Sequence, residues 1–506
     1  MKIQVKQGSV AGESTEVLVL AGYEDESSLG QSGEMLDRSL GGYLRELRKT
    51  KEFRGKNHET VLIHTRGAIP PKRILFVGLG EKADVTVDRV RQAMGIVAKR
   101  VRQAGLSSFT TSIIGTNMPQ ASPTALTQAM IEGALLGTYR FSYYRTEKND
   151  ERKGLTQITL VTPKHTHVDA IKRGARYGEA SAEATAFARD LSNHPSNVMT
   201  PTRVVQEAKT IAKEPGVRLK VLEQKDQEKL GMGGLLGVAR GSHEPPKFII
   251  LEYTGSGRQR KTDRPIVLVG KTVTFDTGGI SLKPADSMEQ MKADMTGGAE
   301  VLATIRAIAR LRLPVHVIGI LPVTENMPGG RAIKPGDILT MLSGKTVEVQ
   351  NTDAEGRLIL ADGLSYGAGL KPACLIDIAT LTGACAVALG QFAIGMLGNN
   401  DVLKKQLQHA GMQAGERVWE MPLWDEYFEQ LKSDVADMRN IGGRGGGMIT
   451  AAIFLSKFVG NIPWVHLDIA STDWSQTERP YIGKGPTAIG TRLLLQFFLN
   501  HVNDAK

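Results

Sequence analysis

The chain has 506 residues, 41% of them hydrophobic and 23% charged, with a net charge of +10 and two cysteines, Cys374 and Cys385. That length exceeds one core, so two or three domains are expected, and the composition excludes a disordered or low-complexity chain. No apolar run reaches the roughly 18 residues of a membrane span, the cysteines form neither a disulfide framework nor a CxxC pair, and "MKIQVKQGSV" has no signal-like apolar region, so a cytoplasmic protein without membrane contact is expected.

The first third alternates strand-like and helix-like pieces. "TEVLVLAGY", "RILFVGLG" and "LTQITLVTP" read as buried strands. "VDRVRQAMGIVAKRVRQAG" reads as a helix ending at Gly105. Residues 1–165 hold 24 Lys and Arg against 17 Asp and Glu. The basic excess therefore lies mostly here. It is either a solvated face or a polyanion-binding surface, nucleic acid included.

Residues 166–191 read as a connecting helix, since "DAIKRGARYGEASAEATAFARDL" is rich in Ala and Glu and lacks proline. "SNHPSNVMTP" ends it. Residues 192–506 form a second α/β unit, with strands at "KFIILEY", "RPIVLVGK", "VHVIGILPV", "KTVEVQN", "ACLIDIAT" and "PWVHLDIA". Helical stretches such as "GGAEVLATIRAIARL" and "LILADGLSYGA" lie between them. The expected fold is α/β, a smaller amino-terminal domain and a larger one with a mainly parallel sheet flanked by helices. Sites in such sheets gather at the carboxyl ends of strands.

Charged residues stand at those ends. After "PIVLVG" come Lys271, Asp276, Lys283 and Asp294; after "KTVEVQ" come Asp353, Glu355 and Arg357. In an extended segment, positions two apart share a side, so the last three can face one cavity. Were the two segments adjacent, Asp276, Asp294, Asp353 and Glu355 would converge and repel. Two divalent cations would compensate, and such a pair activates a water and polarises a carbonyl. A nearby lysine can stabilise an oxyanion. Ordinary salt bridges and helix caps are the alternative.

"VGKTVTFDTGGISLKP" and "NTDAEGRL" together resemble the leucyl aminopeptidase family, the cytosol aminopeptidases. "MKADMTGGA", "ATLTGA", "GGRGGGMITAAIFL" and "HLDIA" extend the resemblance over roughly residues 170–495. It implies a two-metal exopeptidase (Mn²⁺ or Zn²⁺) acting on peptides with a free amino terminus. It implies one metal on Lys271, Asp276, Asp294 and Glu355, and another on Asp276, Asp353 and Glu355. Lys283 would act on the substrate carbonyl, and Arg357 would hold a bicarbonate serving as general base. Homohexamers are typical of the family, and some bacterial members also bind DNA. Met291, Thr380, Gly383 and Ala470 match side-chain pocket positions. Asp473 stands where a small or apolar residue is usual, and is expected to broaden preference or shift it away from leucine, toward basic side chains.

Other motifs carry less. "GLSYG" at Gly363–Gly367 matches the serine-hydrolase elbow, but Ser365 lies late in a helical stretch. The two "GKT" strings lack the earlier glycine of a P-loop. No H-E-x-x-H occurs, and His194 and His466 read as structural.

Overall fold

The computed structural model describes residues 1–26, 29–116, 118–146, 154–255 and 264–504. The chain divides into two compact units, Met1–Ala182 with Thr477–Gly483, and Glu183–Gln476 with Lys484–Lys506. Among the described residues no helix is long and apolar enough to cross a membrane.

The first unit is built on a six-stranded sheet. Its strands are β1 (Lys2–Gln7), β2 (Leu18–Gly22), β3 (Thr60–His64), β4 (Arg73–Gly78), β5 (Ser108–Ser112) and β6 (Gln157–Thr162), in the order β1-β6-β5-β2-β4-β3. All pairs are parallel except the edge hairpin β3–β4. The helix Val87–Gln103 starts where Thr86 accepts from the Arg89 amide at 3.2 Å. The helix Pro123–Gly137 starts at a proline behind the Ser122 cap. The two helices pack closely because Gly133 has no side chain: a Cβ there would lie 2.0 Å from the Arg91 carbonyl oxygen.

That interface buries an ion pair. Arg91 Nε lies 2.7 Å from Glu132 Oε2, and Arg91 Nη1 lies 2.6 Å from Asp88 Oδ1. Arg91 and Glu132 are both fully buried. Removing the Glu132 charge leaves a desolvated guanidinium with half its compensation. Glu132→Gln is expected to cost about 3 kcal/mol, the lower end for broken buried pairs, because Asp88 remains. Urea unfolding measures this, and a loss below about 1 kcal/mol would contradict the assignment of the pair as structural.

The second unit carries a nine-stranded sheet. Its strands are β7 (Val217–Leu222), β8 (Lys247–Thr254), β9 (Ile266–Gly270), β10 (Thr272–Asp276), β11 (His316–Asn326), then β14 (Cys374–Ala379), β15 (Ile394–Gly398), β16 (Val418–Glu420) and β18 (Trp464–Asp468). The main order is β16-β15-β18-β14-β9-β11-β8-β7, with β10 on β11. The central run β18-β14-β9-β11 is parallel, as is β15–β16, whereas β7–β8, β8–β11 and β15–β18 pair antiparallel. β9 and β14 are buried at every position, as strands covered on both faces must be.

Two local expectations change. "KTVEVQN" does not join this sheet. Its strand, β13 (Thr346–Glu348), lies in a separate three-stranded sheet between β12 (Ile338–Thr340) and β17 (Met438–Arg439). The stretch after it is not extended either: Glu355 is the first residue of a helix, Glu355–Gly369. Glu355 and Arg357 thus project from a first helical turn, with Asp353 in the turn before it.

Candidate active site

Every sequence-selected site residue lies at or beyond the carboxyl end of a second-unit strand, or at the start of a helix. Lys271 follows β9, Asp276 ends β10, and Asp294 precedes the helix Thr296–Leu311. Thr380 follows β14, and Gly383 starts the helix Gly383–Leu389. Ala470 and Asp473 follow β18. All of these, with Lys283, Met291, Asp353, Glu355 and Arg357, line one cavity of about 490 Å³.

The cavity wall is a lattice of opposite charges. Lys271 Nζ lies 2.8 Å from Asp294 Oδ1 and 2.9 Å from Glu355 Oε1, and donates to the Thr380 carbonyl at 2.8 Å. Gly356 makes this possible, since a Cβ there would sit 2.6 Å from Lys271 Cε. Lys283 Nζ lies 2.8 Å from Asp276 Oδ2 and 2.5 Å from Asp353 Oδ1. Carboxylate oxygens of Asp276, Asp353 and Glu355 all lie within 4.8 Å of one another.

The lysines do not fully satisfy these acids. Asp294 Oδ2 is a buried oxygen without a hydrogen bond, and Asp353 Oδ1 and Glu355 Oε1 are buried oxygens with a lysine ammonium beside them. Burial first, then neighbouring carboxylates, push Asp294, Asp353 and Glu355 above the usual carboxylate range. Burial opposes the charge on Lys271 and Lys283, yet the surrounding acids hold both above the ordinary lysine range. Converging oxygens with unused lone pairs suit hard divalent cations. The donor set fits metal.

Arg357 is different. Burial pushes its guanidinium down to about 10, against the pull of Glu355 and Asp468. Nη1 donates to the Asn440 carbonyl at 2.8 Å, while Nε is buried without a partner. The group is a buried donor with capacity for an anion.

Two asparagines complete the frame and were not singled out from the sequence. Asn326 ends β11 and donates to Asp276 Oδ1 at 2.8 Å and to the Thr352 carbonyl at 3.0 Å. Asn440 receives the Gln350 amide at 2.8 Å and donates to the Asn351 carbonyl at 2.6 Å. The strand-end rule could have found Asn326; Asn440 stands just before "GGRGGG". Ser365 lies inside a helix and donates to the Ala361 carbonyl at 2.7 Å, so it is no elbow nucleophile. His466 is buried on β18 against Asp377 at 2.6 Å, a structural pair.

Comparison with known proteins identifies the family. Residues 186–495 match the model of the cytosol aminopeptidase family catalytic domain, and residues 17–148 match that of the family's N-terminal domain. A probable cytosol aminopeptidase from Geobacter sp. (strain M21) is 46% identical over 498 residues, covering 98% of this chain and 99% of that one. One from Nitrosococcus oceani is 42% identical over the whole of both chains. Among solved structures, a mutant of tomato leucine aminopeptidase superposes with a TM-score of 0.88 at 31% identity, covering 99% of this chain and 97% of that one. The bottromycin maturation enzyme BotP in complex with Mn gives 0.84 at 32% identity, covering 96% and 99%. With both domain models matched and both relatives aligned over nearly their full length, the chain belongs to the cytosol aminopeptidase family and is a metal-dependent peptidase.

Proposed function

We propose that the protein releases amino-terminal residues from peptides, with two divalent ions per subunit, Mn²⁺ or Zn²⁺, in the acidic cavity. The observation that carries this is the set of Asp276, Asp353 and Glu355 oxygens within 4.8 Å, with buried lone pairs left over. Lys271, Asp276, Asp294 and Glu355 would hold one ion, and Asp276, Asp353 and Glu355 the other. When bound, the ions would supply Lewis acidity and a water acidic enough to ionise near neutral pH, and a bicarbonate on Arg357 would supply a general base.

The chain's own residues do the rest. Lys283 faces the cavity with its ammonium held charged by Asp276, Glu355 and Asp353 despite burial. It would polarise a scissile carbonyl and stabilise the negative charge that develops there. Asn326 fixes the Asp276 carboxylate, and Thr380 fixes Asp294 through a 2.7 Å hydrogen bond. Asn440 anchors both Arg357 and the turn before Glu355. Metal content of the purified protein tests the assignment directly. Two ions per chain are expected, and a stoichiometry of zero after loading with Mn²⁺ or Zn²⁺ would overturn it.

Met291, Thr380, Gly383, Ala470 and Asp473 would receive the substrate's side chain. Asp473 gives that pocket a charge. Burial and the Asp468 carboxylate push it up to about 7, and Lys271, a cation that acts against this, is already engaged by Asp294 and Glu355. A cationic substrate side chain would relieve that cost. Asp473→Ala is therefore expected to lower the ratio of kcat/KM for Arg-anilide over Leu-anilide about tenfold, the scale of one charged hydrogen bond. An unchanged ratio would show that Asp473 does not set preference.

The protein would work in the cytoplasm as a homohexamer. Support for self-association comes from exposed apolar side chains in the second unit, Val387 at 89%, Phe392 at 67% and Trp424 at 62%, which a second copy could cover.

A further inference from the structure

The β3–β4 hairpin of the first unit borders an open cavity of about 280 Å³, lined by residues of that hairpin. Its sequence, "HTRGAIPPKR", has three full cations and a histidine and no acid. Strand register sets His64 directly opposite Arg73, and Lys72, the residue before Arg73, lines the same cavity. Among the described residues, Arg66, Lys72 and Arg73 have no ion pair. The acid that senses Lys72, Glu16, is already taken by the Ser108 hydroxyl at 2.8 Å and the Ser107 amide at 3.4 Å.

The turn itself is built at a cost. Arg66 and Gly67 both have positive φ, 54° and 82°, and Ala68 donates to the Thr65 carbonyl at 3.0 Å. This is a type I′ geometry, which favours Asn or Gly at its first central position. Arginine there is strained, and among the described residues no hydrogen bond or ion pair holds its side chain. Thr65 is buried and ties the loop together, donating to the Pro71 and Lys72 carbonyls at 2.6 and 3.0 Å. Charges on an edge strand can serve only to block strand pairing. That role would be met by either sign and needs neither a cavity nor a strained arginine.

We propose that this hairpin is a binding site for a small phosphorylated ligand, with Arg66, Lys72 and Arg73 converging on a phosphoryl group carrying two or more negative charges. Guanidinium forks match phosphate oxygens in pairs, and an ammonium supplies a further point charge. The site belongs to the first unit and is independent of the peptidase reading.

Isothermal titration of the full-length protein with inorganic pyrophosphate at low ionic strength tests it, beside Arg66→Gly and the triple variant Arg66→Ala, Lys72→Ala, Arg73→Ala. The expected result is saturable binding that weakens about tenfold or more in the triple variant, with peptidase activity unchanged. Arg66→Gly should weaken binding while raising the thermal midpoint, because glycine relieves the turn. Absence of binding, or equal binding in all three proteins, would overturn the proposal. Retention of a short DNA duplex with pyrophosphate inert would also overturn it, in favour of an extended polyanion surface.

Discussion

Glu355→Gln is expected to lower kcat/KM on a leucine anilide by several orders of magnitude and to leave the protein short of metal. Glu355 is buried, with Oε1 facing Lys271. A carboxamide keeps the shape but removes a full charge and the anionic lone pairs that a hard cation needs. Lys271 would keep Asp294 and the Thr380 carbonyl. The metal-free variant should therefore fold at least as stably as the parent, since one member of a mutually repelling set is gone. Asp353→Asn removes the third carboxylate of the same cluster and should behave alike. Activity assay, metal analysis and thermal unfolding of each variant check this. Near-normal turnover with full metal content would refute the ligand assignment.

Lys283→Ala should separate chemistry from metal binding. The ammonium lies 2.8 Å from Asp276 and 2.5 Å from Asp353, and the side chain is 23% exposed toward the cavity. Losing one stabiliser of a developing oxyanion costs roughly 10²–10³ in kcat. Removing a cation from beside two acids does not weaken their hold on metal, so metal content should persist. Lys283→Arg should not restore full turnover, because a planar fork on a longer side chain cannot place a point charge at the same spot. A fall in activity that simply follows lost metal would reassign Lys283 to structure.

Much of this was legible from local pattern. Apolar runs marked β9, β14 and β18, and the strand-end rule placed Lys271 at their carboxyl edge, whereas Thr380 and Ala470 came from the family resemblance. What stayed hidden depended on partners distant in sequence. β13 has the apolar alternation of any strand, and only its neighbours β12 and β17 assign it to a separate sheet. Asp353, Glu355 and Arg357 do reach one cavity, but a helix start brings them there; two-residue spacing in a short stretch does not distinguish strand from first helical turn. Asn326 and Asn440 carry no charge and no motif of their own. Their role is to hold Asp276 and Arg357; the strand-end rule points to Asn326, whereas Asn440 is found only in the folded chain.

The most direct test is release of leucine from a leucine anilide before and after chelation, with Mn²⁺ or Zn²⁺ added back and an N-acetylated substrate as control. The account predicts activity that disappears with chelator, returns with metal and is absent on the blocked substrate. Activity that survives full removal of metal, or that ignores the acetyl group, would contradict a two-metal aminopeptidase.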